Sequence, residues 1–480
     1  MSDLGGQLRR LGKHSAIYGL GGLVSRIVAI FLLPLYTRYL SPSDYGVVET
    51  MIALTAVLSI VLALGITSAF FRFYFDSQDA ARRTLVVRTS FWFTMGMATL
   101  GLVAGVAFSP EISTWLFGST SETKVVAASF VGLWAGMNYN QMASLFRVEE
   151  RSTAFVTASL ANVALTIGAT FLLVVGFEAG PVGVIVGNFT GTLLVYVVLL
   201  GYRREQLGLQ FDRGLLRRMN TFGLPLVPSA VFLWVINFAD RFFLVKLTNT
   251  HEVGLYSVGV RIASAMVLLL TAFRAAWPAF AYSIDDEREA KRTYAFVLTY
   301  LVLASCWVSA ALALLAPWIV AWIAAPDFHG AARVVGPLSF AVVPFAAYIV
   351  VAIGVGRSRR TQFNWVVSGA AAAVNTVLNL VLIPPYGMMG AAIATVAAYL
   401  TIFLGMAWWA QRIYPVPYQW RRVATASAAA VALVVVGKLV GGGLPVAAAL
   451  TALYPLVLVP LGFYLPSERR AIGARLRLAR

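Results

Sequence analysis

The sequence predicts an all-α integral membrane protein with fourteen transmembrane helices, and two observations support this prediction. Hydrophobic residues make up 60% of its 480 residues, charged residues only 12%, and the mean hydropathy is +0.80. A soluble chain of this length would need about twice that fraction of charged residues to cover its surface. The apolar windows are also continuous rather than alternating, as in AVLSIVLALGI (56–66). Continuous windows favour helices over a closed β-barrel.

Windows of about 20 mostly apolar residues, the length that spans a bilayer as a helix, mark the candidate spans. The fourteen spans are 14–37, 44–69, 85–109, 123–146, 153–176, 181–202, 219–245, 254–279, 293–316, 330–353, 361–383, 387–411, 423–440 and 445–465. We group them into an N-lobe at 1–202, a basic cytoplasmic linker at 203–218, a C-lobe at 219–411 and a C-terminal region at 412–480. Each lobe holds six predicted helices, and the C-terminal region holds two further helices with a basic tail.

The positive charge follows this predicted topology. Most of the 37 lysines and arginines lie in the terminal segments and in the loops on the same side of the membrane, as in the linker at 203–218. By the positive-inside rule, both termini are predicted to be cytoplasmic. The net charge of +17 is then explained by topology and by attraction to anionic lipid headgroups, so no nucleic-acid partner is expected.

The sequence offers little for enzymatic chemistry. Its single cysteine, Cys306, excludes a disulfide framework and a cysteine-ligated metal site. The three histidines, His14, His251 and His329, are scattered over different loops and spans, so no metal cluster is expected. No phosphate loop or serine elbow stands in a suitable context. We therefore expect neither catalysis nor a cofactor.

The chain contains an internal repeat. RYLSPSDYGVVET (38–50) aligns with KLTNTHEVGLYSV (246–258) at an offset of 208 residues. GPVGVIVGN (180–188) aligns with GMMGAAIAT (387–395) at an offset of 207 residues. Six predicted spans separate the copies, so the two halves have the same orientation in the membrane. Parallel repeats of this kind occur in secondary transporters and favour a central cleft with alternating access.

Four stretches carry a resemblance to a known family: LLPLYTRYLSPSDYG (32–46), FFRFYFDSQDAARR (70–83), DRFFLVKL with EVGLYSVGVRIAS (within 240–264), and NLVLIPPYGMMGAAIAT (379–395). They resemble the polysaccharide-exporting flippases of the multidrug/oligosaccharidyl-lipid/polysaccharide superfamily, with the O-antigen flippases as the nearest type. The resemblance implies two six-helix bundles in a V. It also implies that the protein moves an undecaprenyl-diphosphate-linked oligosaccharide from the cytoplasmic to the outer leaflet of the bacterial inner membrane. The expected partners are this lipid-linked oligosaccharide, membrane lipid, and a polymerase and chain-length regulator, with the protein itself a monomer.

Three alternatives stay open. A lipid II flippase or a drug/cation antiporter would belong to the same superfamily, and the antiporter would be expected to concentrate acidic residues in its cleft. A membrane polysaccharide polymerase or ligase would need a large outer loop for acceptor chemistry, and the longest predicted outer loops have only about fifteen residues.

Arginines within the spans are the candidate contacts for a diphosphate, because a guanidinium stays charged and forks onto phosphate oxygens. Arg26 lies about twelve residues into the first span, about 18 Å along a helix and near the midplane. It is predicted to face the cleft or, alternatively, to cap carbonyls or pair with lipid phosphate. The repeat places Trp234 at the same point of the second lobe, where it either stacks on sugars or packs as an interior tryptophan. Arg241 and Arg274 complete the predicted substrate contacts.

The remaining charges in the spans are predicted to form a gate or an ion-coupling site. Asp240 and Arg241 come late in span seven, and Arg261 comes early in span eight, so all three belong to the outer half of the membrane. Glu49 has a similar depth and is expected to pair with Arg261 when the outer gate is closed. Asp240 offers a structural alternative as a partner of Arg261. Arg274, thirteen residues beyond Arg261, is expected near the cytoplasmic edge, where it receives the entering headgroup or extends to the interface.

Overall fold

The computed structural model describes residues 32–358, 360, 363–466, 468 and 470, and the regular structure within these residues is entirely helical. We label the helices in chain order: α1 Leu33–Tyr39, α2 Pro42–Ala63, α3 Ile66–Phe75, α4 Ala80–Ala107, α5 Ser109–Phe117, α6 Thr123–Val148, α7 Ser152–Phe171, α8 Gly180–Arg203, α9 Arg213–Gly223, α10 Val227–Leu247, α11 Thr250–Ala263, α12 Ala265–Tyr282, α13 Glu287–Ile323, α14 Ala332–Arg357, α15 Asn364–Tyr386, α16 Met388–Ile413, α17 Trp420–Val440 and α18 Gly443–Val457. A π-helical turn at Leu172–Gly176 extends α7, and short 3-10 turns lie at Arg204–Gln206, Leu224–Leu226 and Pro326–Ala331.

Ten helical segments of the described residues are long and apolar enough to cross a membrane. Helices occupy each predicted span from the second onward, while most of the first span, 14–37, lies outside the described residues. Span eight is divided at Ser264 into α11 and α12, and α18 has only 15 residues. The helical membrane class is confirmed, and the number of fourteen crossings stays a prediction.

The chain forms two compact units. The first runs through Val258 and adds 324–328 and Thr376–Ala391; the second takes Gly259–Ile323, the residues from His329 to Asn375, and the chain from Ala392 onward. Within the first unit, α8 packs against both α6 and α7, and α4 packs against α6. Within the second, α13 packs against α14, α17 and α18. The lobes at 1–202 and 219–411 were inferred from sequence repetition, and this division stays a prediction.

The first turns of α2 and α11 cross at backbone contact distance. The 208-residue offset between the repeats matches Gly46 to Gly254 and Pro42 to Thr250. A Cβ on Gly46 would lie 1.8 Å from the Thr250 carbonyl oxygen, and a Cβ on Gly254 would lie 1.9 Å from the Pro42 carbonyl oxygen. The contact is therefore reciprocal, because each repeat places its glycine on the first helical residue of the other. Only glycine leaves room for so close an approach.

The predicted linker at 203–218 is bound to a helix that precedes it in the chain. The Arg88 guanidinium of α4 donates a hydrogen bond to the Gln206 carbonyl (3.1 Å). Four residues further along α4, the Trp92 indole N–H donates to the Gly208 carbonyl (3.2 Å). These side chains satisfy backbone carbonyls that the 3-10 turn and the following extended segment leave open.

Helix α9 begins inside this linker and packs on the first unit. Its apolar face buries Leu215 and Met219 in a cluster that includes Ile66 of α3. At its end, Gly223 contacts the backbone of Gly65: a Cβ on Gly65 would lie 2.2 Å from the Gly223 carbonyl oxygen. Gly65 has φ +74°, which lets the chain turn between α2 and α3 without the steric cost of a side chain.

Candidate functional site

Arg274 lies in the middle of the second unit's helices. It is near the centre of α12, and its guanidinium carbon lies 5.5 Å from the centroid of the Phe345 ring, near the centre of α14. The sequence placed Arg274 close to the cytoplasmic edge, by counting helical rise from Arg261. The chain changes helix at Ser264, between Arg261 and Arg274. The depth of Arg274 in the membrane stays a prediction.

Phe345 belongs to a group of three aromatic side chains. The Phe345 and Tyr348 rings of α14 are nearly parallel, at 17° and 6.1 Å between centroids. Tyr399, near the centre of α16, approaches Phe345 to 5.2 Å at a tilt of 50°. All three rings are half-buried. Phe345 also packs on a cluster that includes buried Met266 and Leu270, so its ring is held in place from several sides.

The polar groups of Arg274 and Tyr348 are not used by other side chains in the described part of the chain. The Arg274 side chain is exposed, and it makes no ion pair with any described residue. Within the described part of the chain, the Tyr348 hydroxyl likewise has no hydrogen-bond partner. An arginine carries five N–H donors, and a charge at this depth of an apolar helix bundle usually serves a polar ligand or path. The arrangement is therefore suited to an anionic group with a polar neighbour.

Asp240 and Arg241 form a different kind of site, in the interior of the first unit. Their relative exposures are 1% and 4%. The Tyr256 hydroxyl donates a hydrogen bond to the Asp240 carboxylate. Arg241 donates to the Asn237 carbonyl (2.7 Å), and its guanidinium lies 5.3 Å from the centroid of the Phe238 ring. Both charges are enclosed by α10 and α11, so Arg241 is not an open substrate contact here, and its predicted role stays a prediction.

Trp234 makes contacts typical of an interior tryptophan. Its indole N–H donates to the Ala53 carbonyl of α2 (3.0 Å), and its ring packs 5.6 Å from Phe242. The N–H is therefore occupied within the protein, and only the half-buried ring is left for a sugar. Sugar stacking at Trp234 stays a prediction.

Three predicted site residues remain: Glu49, Arg261 and Arg26. Glu49 is buried on α2 with 8% exposure, and Arg261 is half-buried on α11. The predicted pairings of Arg261 with Glu49 or Asp240 stay predictions. Arg26, the predicted midplane contact, lies outside the described residues.

Sequence reasoning missed the aromatic residues around Arg274. Phe345, Tyr348 and Tyr399 occur in spans without a charge near their centres, so the charge pattern does not indicate them. A usable signal was present, since Phe345 and Tyr348 lie three residues apart and therefore share one helix face. The charge pattern within the spans also does not indicate Glu252, whose carboxylate accepts a hydrogen bond from the Met388 backbone N–H (2.9 Å).

Ten long apolar helical segments within the described residues define a multi-pass membrane protein. Residues 35–333 match the sequence model of the family described as polysaccharide biosynthesis protein. This match covers more than half of the chain, so the chain belongs to that family.

Known proteins of similar sequence and structure agree with this assignment. The chain is 23% identical over 407 residues to the lipid III flippase of Escherichia coli (strain K12), a match that covers 80% of this chain and 92% of the relative. The fold resembles that of the lipid II flippase MurJ in an inward closed conformation, with a TM-score of 0.72, 13% identity, and coverage of 94% of this chain and 100% of that one. It also resembles an inward-facing multidrug resistance MATE transporter of the MOP superfamily, with a TM-score of 0.64, 14% identity, and coverage of 85% and 96%. The superfamily resemblance drawn from the sequence is confirmed.

Proposed function

We propose that the protein is a flippase that carries an undecaprenyl-diphosphate-linked oligosaccharide across the bacterial inner membrane by alternating access. The class of substrate is the repeat unit of an O-antigen or exopolysaccharide. The family match and the similarity to a lipid III flippase support a lipid-linked sugar as cargo. The basic loops support an orientation with both termini in the cytoplasm.

The observation that carries this proposal is the open guanidinium of Arg274. A diphosphate brings about two negative charges into the membrane, and Arg274 offers hydrogen-bond donors near the helix centres with no acidic partner among the described residues. The polyprenyl tail stays in lipid while the headgroup passes Arg274. Arg26 is the proposed second phosphate contact, from the first span.

Transport in proteoliposomes tests the proposal. Purified protein is reconstituted with a fluorescent undecaprenyl-diphosphate oligosaccharide, and the fraction of headgroup in the outer leaflet is followed with a membrane-impermeant lectin. The wild type should equilibrate the headgroup between leaflets, and Arg274→Ala should slow transport about tenfold or more through the loss of charged hydrogen bonds. Wild-type transport no faster than in protein-free liposomes would refute the proposal.

Arg412 supplies a matched control for this experiment. Its guanidinium stacks 3.9 Å from the Trp408 ring centroid, but it lies in the last turn of α16 and not near the helix centre. Arg412→Ala removes the same charge and a similar cation–π contact, so it should transport at close to the wild-type rate. Equal losses in Arg274→Ala and Arg412→Ala would mean that the effect comes from net charge or packing.

Two alternatives within the superfamily follow from the structural similarities. The MATE fold favours a drug/cation antiporter, but a cationic ligand would be repelled by Arg274. The similarity to MurJ favours lipid II as cargo. Efflux of an organic cation from the same proteoliposomes supports the first alternative. Transport of lipid II in preference to other lipid-linked oligosaccharides supports the second.

A further inference from the structure

We propose that Tyr348 contacts the sugar attached directly to the diphosphate, and that Phe345 is a positioning residue that orients Arg274 for the phosphates. This inference rests on the proposed function and adds a sugar subsite to it. The site then binds two parts of the headgroup, its charged diphosphate and its first sugar. It consists of Arg274 and an aromatic cluster of Phe345, Tyr348 and Tyr399.

The Arg274 guanidinium contacts an aromatic ring. Its carbon atom lies over the Phe345 ring, 5.5 Å from the ring centroid, and a cation is attracted to an aromatic face. A contact with a ring face satisfies none of the five N–H donors of the guanidinium, so they stay available for oxygens. Phe345 packs on the cluster that includes Met266 and Leu270, which holds its ring. Phe345 therefore restricts the positions from which Arg274 presents its donors.

Tyr348 shares its aromatic neighbour with Arg274. The Tyr348 ring stacks on the Phe345 ring at 6.1 Å between centroids, so the phenol and the guanidinium both contact one aromatic side chain. The Tyr348 hydroxyl has no hydrogen-bond partner within the described residues, although the ring is half-buried. The hydroxyl is therefore available to a hydrogen-bonding ligand.

Arg274 and Tyr348 favour different parts of a ligand. Arg274 binds anionic oxygens, and Tyr348 offers a hydroxyl for hydrogen bonding together with a flat apolar face. A sugar has hydroxyl groups at its edge and C–H groups on its face, so it uses both features of a tyrosine. A sugar joined to a diphosphate presents the two chemistries side by side, whereas a bare lipid phosphate uses only the arginine.

Binding of two soluble probes to the purified full-length protein tests this subsite. One probe is farnesyl diphosphate, and the other is farnesyl diphosphate carrying a single sugar, prepared both with a hexose and with an N-acetylhexosamine. Tyr348→Phe should weaken binding of at least one sugar-bearing probe by about 3- to 10-fold, the loss of one hydrogen bond, and leave farnesyl diphosphate unchanged. Phe345→Leu should weaken all probes by a similar factor, and Phe345→Tyr should restore them.

Controls separate the possible failures. Tyr386→Phe, at an exposed tyrosine at the end of α15, should leave all affinities unchanged, and thermal unfolding of each variant reports whether it folds. If Tyr348→Phe changes no probe or weakens all of them equally, the sugar subsite is refuted, and the proposed function stands as long as Arg274→Ala still abolishes binding. If the wild type binds no probe, the proposed function fails and this inference fails with it.

Discussion

The two copies of the repeated segment, 38–50 and 246–258, share a backbone contact and differ in their polar contacts. Gly46 and Gly254 make the shared contact, in which each glycine packs on the first helical residue of the other copy. The two distances, 1.8 and 1.9 Å from a hypothetical Cβ to a carbonyl oxygen, are nearly equal. The crossing of α2 and α11 is thus close to symmetric in its backbone.

The acidic residue two positions before each glycine shows the difference. In the first copy, the Asp44 carboxylate accepts hydrogen bonds from the Ser41 backbone N–H (3.1 Å) and hydroxyl (2.7 Å), which closes a capping box at the start of α2. In the second copy, Glu252 reaches away from its own helix and accepts from the Met388 N–H. One acid stabilises its own helix end, and the other ties α11 to α16.

The partner segments explain this difference. Gly180 and Gly387 occupy matching positions in the aligned segments 180–188 and 387–395, and both have φ +54°. The residue that follows is Pro181 in the first copy and Met388 in the second. Proline has no backbone N–H, so the first copy offers no donor at this point. The repeats have therefore kept the contact that depends on glycine, and the polar contact exists only where a donor is present.

Alanine at either crossing glycine should have the largest effect. In Gly254→Ala and Gly46→Ala, the new Cβ overlaps a backbone carbonyl that cannot move alone, so the helices must separate at a cost of about 1–3 kcal/mol or more. Thermal unfolding of the purified protein measures this cost. Gly136→Ala is the control, because a Cβ there meets nothing within 4 Å, and it should be neutral or slightly stabilising. Equal stability of all three variants would contradict the backbone contact.

Removal of the acidic side chains of Glu252 and Asp44 should destabilise the protein less than the glycine substitutions do. The two variants should also differ in where backbone amide exchange becomes faster. Glu252→Ala leaves the Met388 N–H without its acceptor, at about 1–3 kcal/mol. Asp44→Ala opens the capping box at about 0.5–2 kcal/mol. Hydrogen exchange should show faster exchange at Met388, far along the chain, in the first variant and only near residues 41–45 in the second. Unchanged exchange at the Met388 amide in Glu252→Ala would contradict the hydrogen bond between Glu252 and Met388.

The smallest effect is expected at the basic residues that begin the repeats. The Lys246 ammonium lies 4.8 Å from the Trp115 ring centroid, whereas its counterpart Arg38 is exposed at the end of α1. Lys246→Gln should therefore lose about 0.5–1 kcal/mol, and Arg38→Gln should stay within about 0.5 kcal/mol of the wild type. In a double-mutant cycle, Trp115→Leu should abolish the effect of Lys246→Gln. Additive effects would mean that the ring contact contributes nothing.

Hydropathy predicted most of the fold, because a bilayer demands long apolar helices and α13, α14 and α16 satisfy that demand locally. Hydropathy did not reveal the change of helix at Ser264, because the apolar window of span eight continues through it. The contacts of Phe345 with Arg274 and with Tyr399 could not be predicted either. These residues come from helices distant in the chain, and a single sequence carries no signal for which side chains meet in space.

The attachment of the linker has a consequence for the order in which the chain folds during synthesis. Arg88 and Trp92, which hold residues 206–208, and Gly65, which receives the end of α9, all precede α9 in the chain. The apolar cluster that buries Leu215 and Met219 is likewise made of earlier residues. Because chains are synthesised from the N-terminus, these contact partners of α9 exist before α10 is made. We therefore expect α9 to pack on them before the second copy of the repeat is synthesised.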